Sequence, residues 1–177
     1  MDKIKMIHVS NMTGKLEGIK AVNTNTLTNE FCKRRHRIDN PLNICRSCYS
    51  VRQLKTYRKN CTKKWEENSK VLSEGIIPWD DLPRTNEIIM RLHGHGELIN
   101  MDHLVNFTRL AKKNPDTTFA LWTKKAPLVG EYERTHEELP PNMVKIFSNP
   151  NINKIMESPP KNFDRVFNNV DGEFEDS

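Results

Sequence analysis

Apolar residues alternate loosely at Ile4, Met6, Ile7 and Val9, which predicts a first strand over residues 3–10. Residues 11–29 are rich in Asn, Thr and Gly and read as loops with a short hairpin. A basic run follows and ends in the turn signal Asp39-Asn40-Pro41. From 47 to 74 the period changes. Val51, Leu54, Arg58, Cys61, Trp65 and Leu72 fall on one stripe, while Arg52, Lys55, Lys59, Lys63 and Lys70 cluster on another face, so the pattern predicts one long basic helix. Gly75 and Pro78 stop it. Three short apolar runs then alternate with helical patterns. Ile88-Ile89-Met90 (residues 87–92) is followed by a helix that Asn100 caps and that extends to about residue 113, with Met101, Leu104, Val105 and Leu110 inward. Phe119-Ala120-Leu121-Trp122 (117–123) precedes a weaker helix over 127–139, and Val144, Ile146 and Phe147 mark a third strand over 143–148. Apolar strands alternating with helices predict an α/β fold: a small parallel sheet of β-α-β-α-β units with right-handed crossovers, plus the long basic helix.

A chain of 177 residues fits one α/β domain over residues 1–160. Residues 161–177, with Asp171, Glu173, Glu175 and Asp176, read as an acidic, loosely ordered tail. No apolar run approaches the roughly 18 residues of a membrane span, and no apolar segment follows Met1-Asp2-Lys3-Ile4-Lys5, so neither a membrane location nor secretion is expected. Four cysteines in such a chain point to thiols or metal ligands rather than a disulfide framework.

Cys45-Arg46-Ser47-Cys48 is a Cys-x-x-Cys knuckle, preceded by Cys32 and His36. Together these four supply the ligand set of a closed tetrahedral zinc site, with His36 the weakest member. Three cysteines with an open position suit an iron–sulfur cluster instead. The cations Lys33, Arg34, Arg35 and Arg46 are expected to lower the thiol pKa values. The competing assignment is that the cysteines are small buried apolar groups. Cys61 follows Cys48 by 13 positions, about 20 Å along a continuous helix, and reads as a core thiol.

Lys+Arg 28 against Asp+Glu 23 gives a net charge of +5, and the excess is concentrated. Between Cys32 and Lys64 the only acid is Asp39. Arg52, Lys55, Lys59 and Lys63 form a row that can track phosphates, extended by Lys33, Arg34, Arg35, Arg37 and Arg46, with Tyr49 or Tyr57 available to stack on a base. An ordinary solvated helix face is the alternative. No sequence-reading DNA-binding module is present, so a nucleic acid or nucleoprotein would be met through its backbone.

The loop His93-Gly94-His95-Gly96-Glu97 directly follows an apolar strand. Parallel sheets bind ligands at the carboxyl ends of their strands, so His93, His95 and Glu97 are candidate ligand, proton-transfer or metal groups. Thr123-Lys124-Lys125 and Ser148-Asn149 would share that rim. A glycine-rich turn with solvated histidines is the alternative.

The Cys45–Tyr49 motif, the Met90–Leu98 strand and loop, and Phe119–Lys125 together resemble the phage-associated "gene product 88"-like family, over roughly residues 4–150. That family in turn looks like a reduced radical-SAM partial barrel, in which cysteines follow the first strand and a Gly-Gly-Glu-type loop follows the second. Gly94-His95-Gly96-Glu97 would occupy that loop. The resemblance implies a phage protein acting in the cytoplasm of a host cell. On this basis the leading expectation is a binding protein rather than a turnover enzyme. It would engage nucleic acid or a host nucleoprotein, for example a CRISPR effector nuclease that it inhibits, through the basic face beside a zinc site. The alternative is a radical-SAM-like or metal-dependent enzyme using Cys32, Cys45 and Cys48 with the His93–Glu97 loop.

Overall fold

The computed structural model describes residues 6–172 and 174. Its strands form where apolar runs are bounded by turn residues: β1 (Val9–Asn11), β2 (Lys20–Val22), β3 (Ile89–Leu92), β4 (Thr118–Thr123), β5 (Met143–Ile152) and β6 (Arg165–Asn169). They make one sheet in sequence order, β1-β2-β3-β4-β5-β6. β1 and β2 are the short antiparallel hairpin, and every later pair is parallel. The α/β class and the parallel units are therefore as the pattern predicts. The helices are α1 (Glu30–Arg37), α2 (Tyr49–Lys55), α3 (Thr62–Ser73), α4 (Met101–Lys113) and α5 (Ala126–Thr135). No helix among the described residues is long and apolar enough to cross a membrane.

Sequential strand order puts the main helices on one side of the sheet. Met90, Leu92, Phe119, Leu121 and Phe147 alternate onto that side and form one core with Leu72 of α3, Leu104, Phe107 and Leu110 of α4, and Val129 and Tyr132 of α5. The other side carries Arg91, Trp122 and Phe167 at the intervening positions. This winding puts α3, α4 and α5 on one face of the sheet and leaves the opposite face clear of them. Asn100 caps α4 as expected, its Oδ1 accepting from His103 N at 3.1 Å. Asn68 of α3, fully buried, acts as a spare strand: its Oδ1 accepts from His8 N (2.7 Å) and its Nδ2 donates to His8 O and Asn23 O (2.8 Å each).

Two expectations need correction. The single long basic helix is two helices. α2 ends at Lys55, Thr56 leaves helical geometry (φ −121°, ψ −115°), and a 3-10 turn over Lys59–Cys61 leads into α3. Local and distant bonds replace the helical ladder there. Thr56 Oγ1 donates to Arg52 O (2.8 Å), and Arg58 reaches Gln53 Oε1 (3.0 Å) and Thr13 Oγ1 (2.8 Å). The expected loose tail instead begins with ordered structure. Phe163 packs on Phe147 with ring centroids 5.4 Å apart, and β6 pairs with β5. Val166 alone on the core face was too short an apolar signal. Glu173, Glu175 and Asp176 lie outside the described residues, as do residues 3–5 of the first predicted strand. The basic run around Cys32, to which the pattern assigned no element, is helical: it is α1, which Asn29 caps by accepting from Cys32 N at 3.1 Å.

Candidate functional site

A cavity of about 860 Å³ opens at the carboxyl ends of the parallel strands. That volume is within the range of small-molecule sites. Its floor is the sheet face opposite the core helices α3, α4 and α5, with Arg91 from β3, Trp122 and Lys124 from and after β4, Ser148 from β5 and Phe167 from β6. Its far wall is the β2–β3 crossover, which contributes Cys32, Cys45, Cys48, Tyr49, Tyr57 and Arg58.

Three polar residues bring that crossover over the sheet. Asn29 Nδ2 donates to Glu97 O (3.0 Å) and so joins the start of α1 to the glycine-rich loop. Asn43, 3% exposed, accepts from Cys45 N (3.2 Å) and donates to Arg35 O (2.7 Å), which sets the Cys45 turn against α1. An isolated bridge pairs Asn43 with Asn151 at the end of β5, and Ile152 N donates to Leu42 O at 2.7 Å. The hydroxyl of Tyr49 donates to Gly94 O.

The loop after β3 is zipped to the extension of β2. His93 N donates to Val22 O (3.0 Å), Thr24 N to His95 O (3.1 Å), and His95 N to Asn23 Oδ1 (2.8 Å). Its three candidate groups are all buried rather than solvated. His93, with φ +71°, lies against the rings of His103 and Phe107 in α4, and its Nδ1 is 3.2 Å from Trp122 O. Burial pulls its pKa down to about 3. His95 packs on Trp65 and Tyr49, with Nδ1 2.8 Å from Ser50 Oγ. Burial, then Arg58 and Arg91, pull its pKa down to about 4, so both imidazoles are neutral at pH 7. Glu97 is a clasp. Its Oε1 accepts from Leu98 N (2.8 Å) and Thr123 Oγ1 (2.5 Å), and its Oε2 accepts from Lys124 N (2.8 Å). Burial raises its pKa, with Lys124 and these bonds opposing.

Cys32, Cys45 and Cys48 share the cavity wall, and all four cysteines are free thiols. The expectation that neighbouring cations lower their pKa values is overturned for Cys32 and Cys45. Burial dominates and pushes both thiols up; at Cys32 the Glu97 carboxylate adds to it, and the neighbouring sulfurs add at both. Lys33 is paired with Glu30 (2.7 Å) and Arg46 with Asp39 (3.0 Å). Lys124 is instead a cation that acts on both thiols, with Arg35 joining it at Cys45. Among the described residues no three His, Cys, Asp or Glu side chains are drawn together around one metal position. His36 is not on the cavity wall, and its Nδ1 lies 2.8 Å from Cys45 O, where it orients the turn. Cys61 is half-buried in the 3-10 turn and away from the cavity.

A family model described as Gene product 88 matches residues 11–175. The chain belongs to the Gene product 88 family. No curated protein and no solved structure matches it. Membership in Gene product 88 carries no named reaction with it, so the chemistry rests on the site.

In this Gene product 88 chain the basic residues do not form one row. The break at Thr56 separates Arg52 and Lys55 on α2 from Lys59 on the 3-10 turn and Lys63 on α3. All four are nevertheless exposed, as are Arg34 and Arg37. Sequence reasoning missed Arg91, Trp122 and Phe167. Arg91 lies over the Trp122 ring at 4.6 Å, and Phe167 meets the same indole edge-on at 4.9 Å. The available signal was an arginine inside the apolar run Ile89-Met90-Arg91-Leu92.

Proposed function

We propose that the protein is a metal-dependent enzyme of radical-SAM-like type, with Cys32, Cys45 and Cys48 as ligands of an iron–sulfur centre and its substrate in the cavity. The observation that carries this reading is that one cavity at the strand ends is lined by three thiols together with the Gly94–Glu97 loop, to which their segment is bonded. Three thiols match such a group in ligand type and number, while among the described residues they are not drawn together around one position. Burial and neighbouring groups push the half-buried Cys32 and Cys45 thiols up, and a cation that replaced their protons would stabilise them as thiolates. An iron–sulfur centre held there would supply single electrons to a bound ligand. The chain's own contribution is positional. Asn29 and Asn43 fix the backbone at Cys32 and Cys45, Lys124 sets a positive charge beside the thiols, and Glu97 locks the β3 and β4 loops together.

Anaerobic reconstitution with ferrous iron and sulfide tests this. The expected result is a brown protein with stoichiometric iron and sulfide. Cys45→Ser and Cys48→Ser should abolish that absorbance, and Cys61→Ser should keep it. Colourless protein holding stoichiometric zinc, or no metal at all, would overturn the iron–sulfur assignment.

A second reading, engagement of nucleic acid or a host nucleoprotein such as a CRISPR effector, is favoured by a different observation. Arg52, Lys55, Lys59 and Lys63 are exposed, and no described acid pairs with them within 4.0 Å. Replacing Arg52, Lys55 and Lys59 by Glu should abolish retention of single-stranded DNA at low salt. The wild type should lose affinity steeply as salt rises. Unchanged retention would remove this reading.

A further inference from the structure

The cavity has more positive charge than the proposed metal centre explains. Lys15, Arg58, Arg91 and Lys124 line it against a single carboxylate, Glu97, and that carboxylate already accepts three hydrogen bonds from the chain. Lys124 is accounted for by the thiols and by Ser148 Oγ, to which its Nζ donates at 2.9 Å. The two arginines are not. Among the described residues the Arg58 guanidinium bonds the neutral side-chain oxygens of Gln53 and Thr13. The Arg91 Nε is buried and has no hydrogen-bond partner among the described residues, while its guanidinium rests on the Trp122 ring. No described acid lies within 4.0 Å of either guanidinium.

A half-buried guanidinium without a counter-charge is costly and persists where a ligand supplies the charge. Both arginines act on the same two groups, the Tyr49 hydroxyl and the His95 ring, so their charges converge on one side of the cavity. Arginine's planar fork matches a phosphate better than a point charge does. Beside them two aromatic side chains of the cavity lining keep much of their surface exposed: Tyr57 is 72% and Phe167 44% exposed. A ring with a negatively charged group fits that combination.

We propose that the cavity's substrate is a nucleoside monophosphate, its phosphate held between Arg58 and Arg91 and its base against these aromatic side chains. This deepens the enzyme reading above, because it places the substrate in the same cavity. It does not depend on which metal the cysteines hold.

Isothermal titration of the full chain with AMP, GMP, CMP and UMP, their parent nucleosides and inorganic phosphate tests it. At least one monophosphate should bind about tenfold or more tightly than its nucleoside and than phosphate alone. A single-stranded oligonucleotide with and without a 5′-phosphate shows whether the unit is taken free or as a strand end, and a phosphate-dependent gain in either form supports the proposal. Arg91→Met should reduce monophosphate affinity about tenfold with an unchanged or raised melting temperature, which a structural arginine would not allow. Arg58→Gln provides the same affinity test at a site away from the sheet. Cys45→Ser/Cys48→Ser protein should bind the nucleotide and no cluster, so the two readings fail separately. Equal binding of nucleosides and monophosphates, no binding of any monophosphate, or full affinity in both arginine variants would overturn the proposal.

Discussion

Replacing Gly96 by Ala is expected to collapse the loop that carries His95 and Glu97, and to do so far more severely than the same change at other glycines with positive φ. Gly96 has φ +99°, and a Cβ there would stand 2.0 Å from Thr24 Oγ1 and 2.8 Å from Thr24 O. Thr24 cannot yield. It is fully buried, its amide is bonded to His95 O, and the second clash is with backbone. The loop must therefore lift away from β2, breaking the His95–Asn23 and Asn29–Glu97 bonds that hold the cysteine segment over the sheet. Backbone strain plus an overpacked contact should cost about 3 kcal/mol or more. Gly14 is the control. It has φ +67° but nothing within 4 Å of a built Cβ, so Gly14→Ala meets strain alone, about 1 kcal/mol. Urea unfolding followed by circular dichroism compares the two. Equal midpoint shifts would mean that the Gly96–Thr24 approach is not what limits that position.

The close approach at Gly96 was invisible in the sequence, although the loop was not. A glycine-rich stretch after an apolar strand locates a strand-end site by general rule, and the cavity lies there. α4 was legible for an equally local reason: Asn100 can cap only a helix that starts at the next residue, and the apolar period begins there. The break at Thr56 was not legible, because the apolar stripe from Val51 to Leu72 continues through it in phase. What ends α2 is partly a bond between Arg58 and Thr13, 45 residues away in sequence. Arg91 and Trp122 escaped for a topological reason. They sit in strands that read as wholly interior, and only the placement of the helix layer on one side turns their alternate positions into a cavity floor. The thiol pKa values were misjudged because charge can be counted in a sequence whereas burial cannot. Lys33 and Arg46 were counted toward the cysteines but are occupied by Glu30 and Asp39.

Acid should unfold this protein early, through histidines that the fold keeps neutral. His93 and His95 have pKa values pulled down to about 3 and about 4, and His103 is pulled well below the ordinary value, in each case chiefly by burial. The charges that face them act in the same direction: Arg91 faces His93, Arg58 and Arg91 face His95, and Lys125 faces His103, where a protonated His93 would add to it. In the unfolded chain each imidazole takes its proton near pH 6.5. Below that pH the unfolded state binds protons that the folded state refuses, so stability falls as pH falls, by up to about 1.4 kcal/mol per pH unit for each histidine. The loss continues to about pH 4 for His95 and about pH 3 for His93. Glu97 opposes it. Its raised pKa means that the folded state gains a proton before the unfolded state does, which adds stability as pH falls toward 4.5. One carboxyl set against three imidazoles leaves the net slope strongly unfavourable. Urea titrations at pH 7.0, 6.0, 5.0 and 4.5 should show the free energy of unfolding dropping by several kcal/mol across roughly that range. His103→Gln keeps an acceptor for the Ile99 amide while removing one titrating ring, and should make the decline measurably shallower. A stability that stays level between pH 7 and pH 5 would show that these rings are not held neutral, and with that the buried placement of the loop after β3 would be wrong.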